Sequence, residues 1–165
     1  MKKIIAYFLL YIIFCMLQFF FGKYLNICGV FPNLILILVV YLGLTRGVVS
    51  AEIMGFLFGI TWDVFSTDVF GIRTVIFTII GYFTGKINKN FDKDRTLVQI
   101  VIVVLTNVVY WFIFSFIYWV IPASESSSPS FITTKGMFKI LATVIMAPIV
   151  FSILDRLTLL SRGDT

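Results

Sequence analysis

Long apolar stretches separated by short polar connections divide the chain into six segments. The stretches lie at about 4–22, 32–45, 48–65, 69–85, 97–121 and 137–154. A helix that crosses the hydrocarbon core of a bilayer needs about 20 predominantly apolar residues, within a range of about 17–25. The pattern therefore predicts an all-α polytopic membrane protein with six transmembrane helices, which form a single transmembrane domain over residues 1–165.

The second stretch is short for a full crossing. Pro32 opens it, which suits the first turn of a helix because the missing N–H would have no helical partner there. Only about 14 residues lie between Pro32 and Arg46, and Arg46 and Gly47 predict a tight turn into the next stretch. The second and third stretches can therefore also be interpreted as a hairpin that does not fully cross, which leaves five spans as an alternative to six.

Composition excludes a soluble domain and disfavours an enzyme. Hydrophobic residues make up 60% of the chain and charged residues 13%, against about 45–50% and about 25% in soluble domains. The chain has no His, which removes the usual general base near neutral pH and the commonest transition-metal ligand. We therefore expect no enzyme, no metal site and no cofactor.

The distribution of Lys and Arg predicts the orientation in the membrane. With six spans and a cytoplasmic N-terminus, nine of the 13 Lys and Arg fall on the cytoplasmic side, three fall outside or at the outer boundary, and Arg73 lies within a span. Positive charge concentrates in cytoplasmic loops. We therefore predict a multi-pass membrane protein with both termini cytoplasmic, and we attribute its basicity to these loops rather than to nucleic-acid binding.

Small residues recur every four positions through the third stretch and end at an acid. The positions are Gly47, Ala51, Gly55, Gly59 and Asp63, and the fourth stretch repeats the spacing with Gly81 and Gly85. At 3.6 residues per turn, a step of four drifts by roughly 40° and produces a slowly winding stripe. Small residues at this spacing let another helix approach closely. That helix can belong to this chain or to a partner, and both interpretations stay open.

Two charges lie close to the membrane interior at the connection between the third and fourth stretches. Charged side chains in a membrane usually face the protein interior and pair. The connection is short, so we predict an intramembrane ion pair between Asp63 and Arg73, with Asp68 as a competing partner. Such a pair either pins the two helices together or forms a site that contacts a ligand or partner from outside.

The sequence resembles the bacterial rod shape-determining MreD family in several short motifs. They are Pro32-Asn33-Leu34, then Gly55-Phe56-Leu57-Phe58-Gly59-Ile60-Thr61-Trp62-Asp63, then Gly71, then Gly81-Tyr82-Phe83-Thr84-Gly85. The positions that match the family pattern are Pro32, Asn33, Gly55, Gly59, Asp63, Gly71, Gly81 and Gly85. The resemblance covers nearly the whole chain. It implies a scaffold or regulator without catalysis of its own, which supports rod shape and synthesis of side-wall peptidoglycan in the cell-elongation machinery.

The resemblance also implies partners and a fold. Proteins similar to MreD associate with MreC, which has one membrane span and a coiled coil outside the membrane, and work beside MreB filaments and side-wall peptidoglycan synthases. Besides these direct or indirect partners we expect membrane lipid and no nucleic acid. The implied fold is similar to the six-helix substrate-binding subunits of energy-coupling-factor vitamin transporters. A substrate-capture subunit is therefore the alternative function. Such a subunit needs a pocket with convergent polar groups, and the chain has few polar residues on its predicted outer side.

Overall fold

The chain folds into helices throughout the part that the structure describes. The structure is a computed structural model, and it describes residues 11–18, 32–66, 69–87, 96–120 and 134–160. Residues 11–18 are helical and are called α1 here. The others are α2 (Leu34–Arg46), α3 (Val48–Phe65), α4 (Ile72–Ile87), α5 (Thr96–Val120) and α6 (Thr134–Leu160). These ranges contain no β-strand, so the predicted all-α class is confirmed.

Three of these helices have the length and composition of membrane spans. They are α3, α5 and α6, whose apolar windows are Val48–Phe65, Leu97–Ile117 and Phe138–Arg156. Helix α2 has 13 residues, so at 1.5 Å per residue it is about 20 Å long. That is less than the roughly 30 Å hydrocarbon core. The prediction of a polytopic membrane protein is confirmed, whereas the crossing of the shorter helices stays a prediction.

Helix α2 is the centre of the helix bundle. Its first eleven residues, from Leu34 to Leu44, are all buried, and α3, α4, α5 and α6 each contact it. A helix that is apolar on every side is surrounded either by protein or by lipid, and here the burial of α2 shows that it is surrounded by protein. Because α2 is surrounded by protein, its length does not have to match the thickness of the bilayer.

The outer helices present apolar side chains away from the core. On α3, Val49 is 68% exposed and Ile53 is 55% exposed. Large exposed apolar side chains also follow the length of α5 and α6, including Val101, Phe112, Leu141 and Ile145. Contiguous apolar surface of this extent marks a membrane or protein contact, as expected for helices that face lipid.

Contacts at both ends of the helices define their relative directions. Asn33, at the start of α2, hydrogen-bonds to Thr143 of α6, and Tyr41 further along α2 hydrogen-bonds to Asp155 of α6. Helices α2 and α6 therefore run parallel, whereas α3 and α4 run antiparallel because Val48 of α3 lies beside Gly85 of α4. These are the directions expected if successive helices cross a membrane alternately, which stays a prediction.

Candidate functional site

The carboxylate of Asp63 lies at the N-terminus of α4, although Asp63 itself belongs to the last turn of α3. Its side chain is buried, and its oxygens accept hydrogen bonds from the backbone N–H groups of Gly71 (3.0 Å), Thr74 (3.0 Å) and Arg73 (3.3 Å). The hydroxyl of Thr74 donates a further bond of 2.7 Å. The first N–H groups of a helix lack helical acceptors, and the helix dipole favours negative charge there. Asp63 therefore serves as the cap of a neighbouring helix.

The guanidinium of Arg73 lies beside the same carboxylate. One guanidinium nitrogen is 3.7 Å from an oxygen of Asp63, and the Arg73 side chain is only 12% exposed. Its central carbon is 5.8 Å from the ring centre of Trp62 and 5.5 Å from that of Phe114, within the range of cation–π attraction. Arg73 thus connects α3, α4 and α5. Asp68, the competing partner, lies outside the described residues.

A second cation approaches this cluster from α6. The ammonium of Lys139 and the guanidinium of Arg73 are close enough to repel each other. Lys139 is one of the three basic residues that the charge distribution places outside or at the outer boundary, and nothing in the sequence brings it near Arg73. The sequence signal for this contact was weak, because a Lys near the start of an apolar helix can equally well extend its side chain to water.

The small-residue stripe is the contact surface between α3 and α4. A Cβ atom placed on Gly55 would lie 2.5 Å from the carbonyl oxygen of Phe77, and one on Gly81 would lie 2.6 Å from that of Ala51. A Cβ on Gly59 would overlap the backbone of Thr74, and one on Gly85 would overlap that of Val48. The four glycines therefore allow backbone-to-backbone contact within this chain. A partner helix would have to use other faces of α3 and α4.

Two further glycines, Gly71 of the family pattern and Gly47 of the stripe, adopt backbone conformations that favour glycine. Gly47 joins α2 to α3 with φ 88°, and Gly71 precedes α4 with φ 96°. Both lie in the left-handed region that disfavours residues with a side chain. A Cβ on Gly71 would meet no atom within 4 Å, so its conformation rather than its packing requires glycine. That conformation lets its N–H point at Asp63.

Pro32 and Asn33 form a buried start of α2. The side-chain oxygen of Asn33 accepts from the N–H of Leu36 at 3.2 Å, which is the usual bond of an N-cap. The N–H of Leu34 donates to Gln18 of α1 at 2.9 Å, and that of Asn33 donates to Thr143 of α6 at 3.0 Å. Side chains from α1, from α6 and from the N-cap of α2 itself thus satisfy the N–H groups at the start of a helix that begins inside the protein. Thr143 was not foreseen from the sequence.

The two polar clusters, one around Asp63 and one at the start of α2, join helices to one another. The oxygens of Asp63 accept bonds from α4, and the side chains of Gln18, Asn33 and Thr143 bond at the start of α2. Among the residues that the structure describes, no three side chains of the metal-ligating types His, Cys, Asp and Glu come together. The arrangement is suited to holding a bundle in one shape.

The family model described as rod shape-determining protein MreD matches residues 2–157 of the chain. The chain belongs to the MreD family. It is therefore a rod shape-determining membrane protein, and the family recognised in the sequence motifs is confirmed. No curated protein and no solved structure matches the chain. The similarity of MreD folds to the vitamin-binding transporter subunits stays a prediction for this member.

Proposed function

We propose that this MreD family member is a membrane scaffold without catalysis of its own. It supports rod shape and side-wall peptidoglycan synthesis by binding an MreC-like protein with one span and a coiled coil. The observation that carries the proposal is the match of the MreD family model to residues 2–157. The chain contacts MreB filaments and the peptidoglycan synthases either directly or through the MreC-like protein.

The proposed site of action is the bacterial inner membrane, with both termini in the cytoplasm. The excess of Lys and Arg in the connections that would face the cytoplasm supports this orientation. In this orientation the cluster of Asp63, Arg73 and Lys139 lies toward the outer side of the membrane. That is the side on which the coiled coil of the MreC-like partner would extend.

The packing of the bundle supports partner binding through the outward faces of its helices. The glycine faces of α3 and α4 are covered by each other. What α3 leaves uncovered is an apolar face that includes Ile53, Phe56 and Leu57, each more than 40% exposed. A single transmembrane helix can pack on such a face by van der Waals contact without needing a polar partner.

The polar groups favour a scaffold over the alternative, a substrate-capture subunit. A capture site needs polar groups that converge on a ligand. Here Gln18, Asn33 and Thr143 converge on the first turn of α2 and bond to it or to one another. A vitamin that co-purifies with the chain at one-to-one stoichiometry would support the alternative instead.

Photo-crosslinking in living cells tests the scaffold. A photoreactive amino acid is placed at Phe56 of α3, Val101 of α5 or Ile145 of α6, all exposed, in cells that depend on this chain for their shape. Phe58 is the matched control, because it lies two residues from Phe56 and is fully buried. We expect a covalent adduct with the MreC-like protein from at least one exposed position and none from Phe58. If rod-shaped cells give no such adduct from any of the three faces, helix-face binding is wrong.

A further inference from the structure

Helix α6 carries an open groove on its outer face. Pro148, Ile149, Ser152, Ile153 and Arg156 line it, and its volume is about 400 Å³. Sites for small ligands typically have volumes of about 300–1,000 Å³. The lining residues recur at helical spacing on one face of α6, so the groove runs along the helix toward Arg156.

The sequence of α6 explains the groove. Pro148 lies inside the helix, where it removes one backbone hydrogen bond and usually kinks the helix. Ser152, four residues later, is small and exposed, so it leaves space between the larger side chains. Ile149 and Ile153 are each 52% exposed and give the groove apolar walls.

One end of the groove is positively charged. Arg156 is exposed there, whereas the neighbouring Asp155 accepts a 2.8 Å hydrogen bond from Tyr41 of α2 on the inner side. Asp155 is itself exposed, but its carboxylate is bonded to Tyr41 and does not line the groove, whereas Arg156 places a cation at the groove's end. Arg46 in the last turn of α2 and Lys86 in the last turn of α4 lie at the same end of the bundle but do not line the groove.

We propose that this groove binds one anionic phospholipid, with an acyl chain against Ile149 and Ile153 and the phosphate on Arg156. Basic residues at the end of membrane helices attract anionic headgroups. From Pro148 to Arg156 the helix rises about 12 Å at 1.5 Å per residue. This length is close to one leaflet, which is half of the roughly 30 Å hydrocarbon core. A partner helix that crossed the membrane would contact α6 over more than this length.

Native mass spectrometry of the full chain tests the proposal. The purified protein is offered phosphatidylglycerol or phosphatidylcholine with matched acyl chains at equal low concentration. We expect one phosphatidylglycerol per chain to be retained in preference to phosphatidylcholine. Arg156→Gln should lower its affinity about tenfold, which corresponds to about 1.4 kcal/mol. Ser152→Leu, which fills the groove and keeps Arg156, should lower the binding of both lipids.

Lys86→Gln is the matched control, because it removes the same charge from an exposed side chain at the same end of the bundle. It should leave the one-to-one retention of phosphatidylglycerol unchanged.

Equal losses in Arg156→Gln and Lys86→Gln would mean a diffuse basic surface and overturn the proposal. So would equal retention of the two lipids, or retention that Ser152→Leu leaves intact. A dimer that dissociates in Ser152→Leu would assign the groove to a second copy of the chain. Size-exclusion profiles of all variants check that each remains folded.

Discussion

At the scale of a single residue, Asp63 makes two kinds of interaction. Its carboxylate accepts hydrogen bonds from the first turn of α4, and it also lies beside the guanidinium of Arg73. In apolar surroundings an uncompensated charge is costly, so losing one member of a buried pair destabilises more than losing a surface pair. The same carboxylate therefore fixes the end of α4 and makes the burial of Arg73 tolerable.

Asp63→Asn should destabilise the protein substantially. The amide cannot compensate the charge of Arg73, and its NH₂ group cannot accept the N–H groups of α4. We expect a loss of about 3 kcal/mol, as for other broken buried pairs, measured as a lower thermal unfolding midpoint in detergent. Glu52→Gln is the control, since Glu52 is a half-buried acid on the same helix. Equal midpoints for Asp63→Asn and the parent protein would contradict this role.

Some of these contacts could be predicted from the sequence and others could not. Asp63 and Arg73 could be paired because they end and begin neighbouring helices across a short connection. Asn33 and Thr143 are 110 positions apart, and Tyr41 and Asp155 are 114 apart. Which of several apolar helices would meet was not encoded in any local pattern, because such helices have nearly the same surface chemistry.

At the scale of elements, the contact between α3 and α4 depends on the absence of side chains. Positions Gly55 and Gly59 on α3, and Gly81 and Gly85 on α4, bring the two backbones together. The spacing of four predicted a close helix contact, but it could not choose between a helix of this chain and a helix of a partner. Both would require the same small residues, and only the three-dimensional arrangement shows that α3 and α4 meet.

Gly59→Ala should therefore weaken the α3–α4 contact. The added methyl group would overlap backbone atoms of Thr74, which cannot move as a flexible side chain can. Overpacking typically costs about 1–3 kcal/mol, so we expect a lower thermal midpoint and less folded protein in the membrane fraction. Val49→Ile adds one methyl group to the same helix at a position that is 68% exposed, and it should change neither quantity. The packing role would be refuted if both variants behaved alike.

At the scale of the whole molecule, the bundle surrounds a short central helix. Helix α2 is buried over Leu34–Leu44 and begins at a cap that α1 and α6 complete. The sequence predicted the short length of this element, but an apolar run alone could not tell a central helix from a lipid-facing one. Helix α2 ends at Arg46 and α3 begins at Val48, with only Gly47 between them. The side of the membrane on which Arg46 lies therefore shows whether the two helices cross as separate spans.

Cysteine labelling of the whole protein decides between six spans and a hairpin that stays on one side. In a variant in which Cys15 and Cys28 are changed to Ala, single cysteines are placed at Arg46, Ser66 and Lys86. Alternate crossing with a cytoplasmic N-terminus predicts that a membrane-impermeant maleimide labels Ser66→Cys in intact cells, because Ser66 follows α3. Arg46→Cys and Lys86→Cys should react only after permeabilisation, because the ends of α2 and α4 meet where Gly85 lies beside Val48. Labelling of both Arg46→Cys and Ser66→Cys from outside would show that α3 does not cross and would make the six-span prediction wrong.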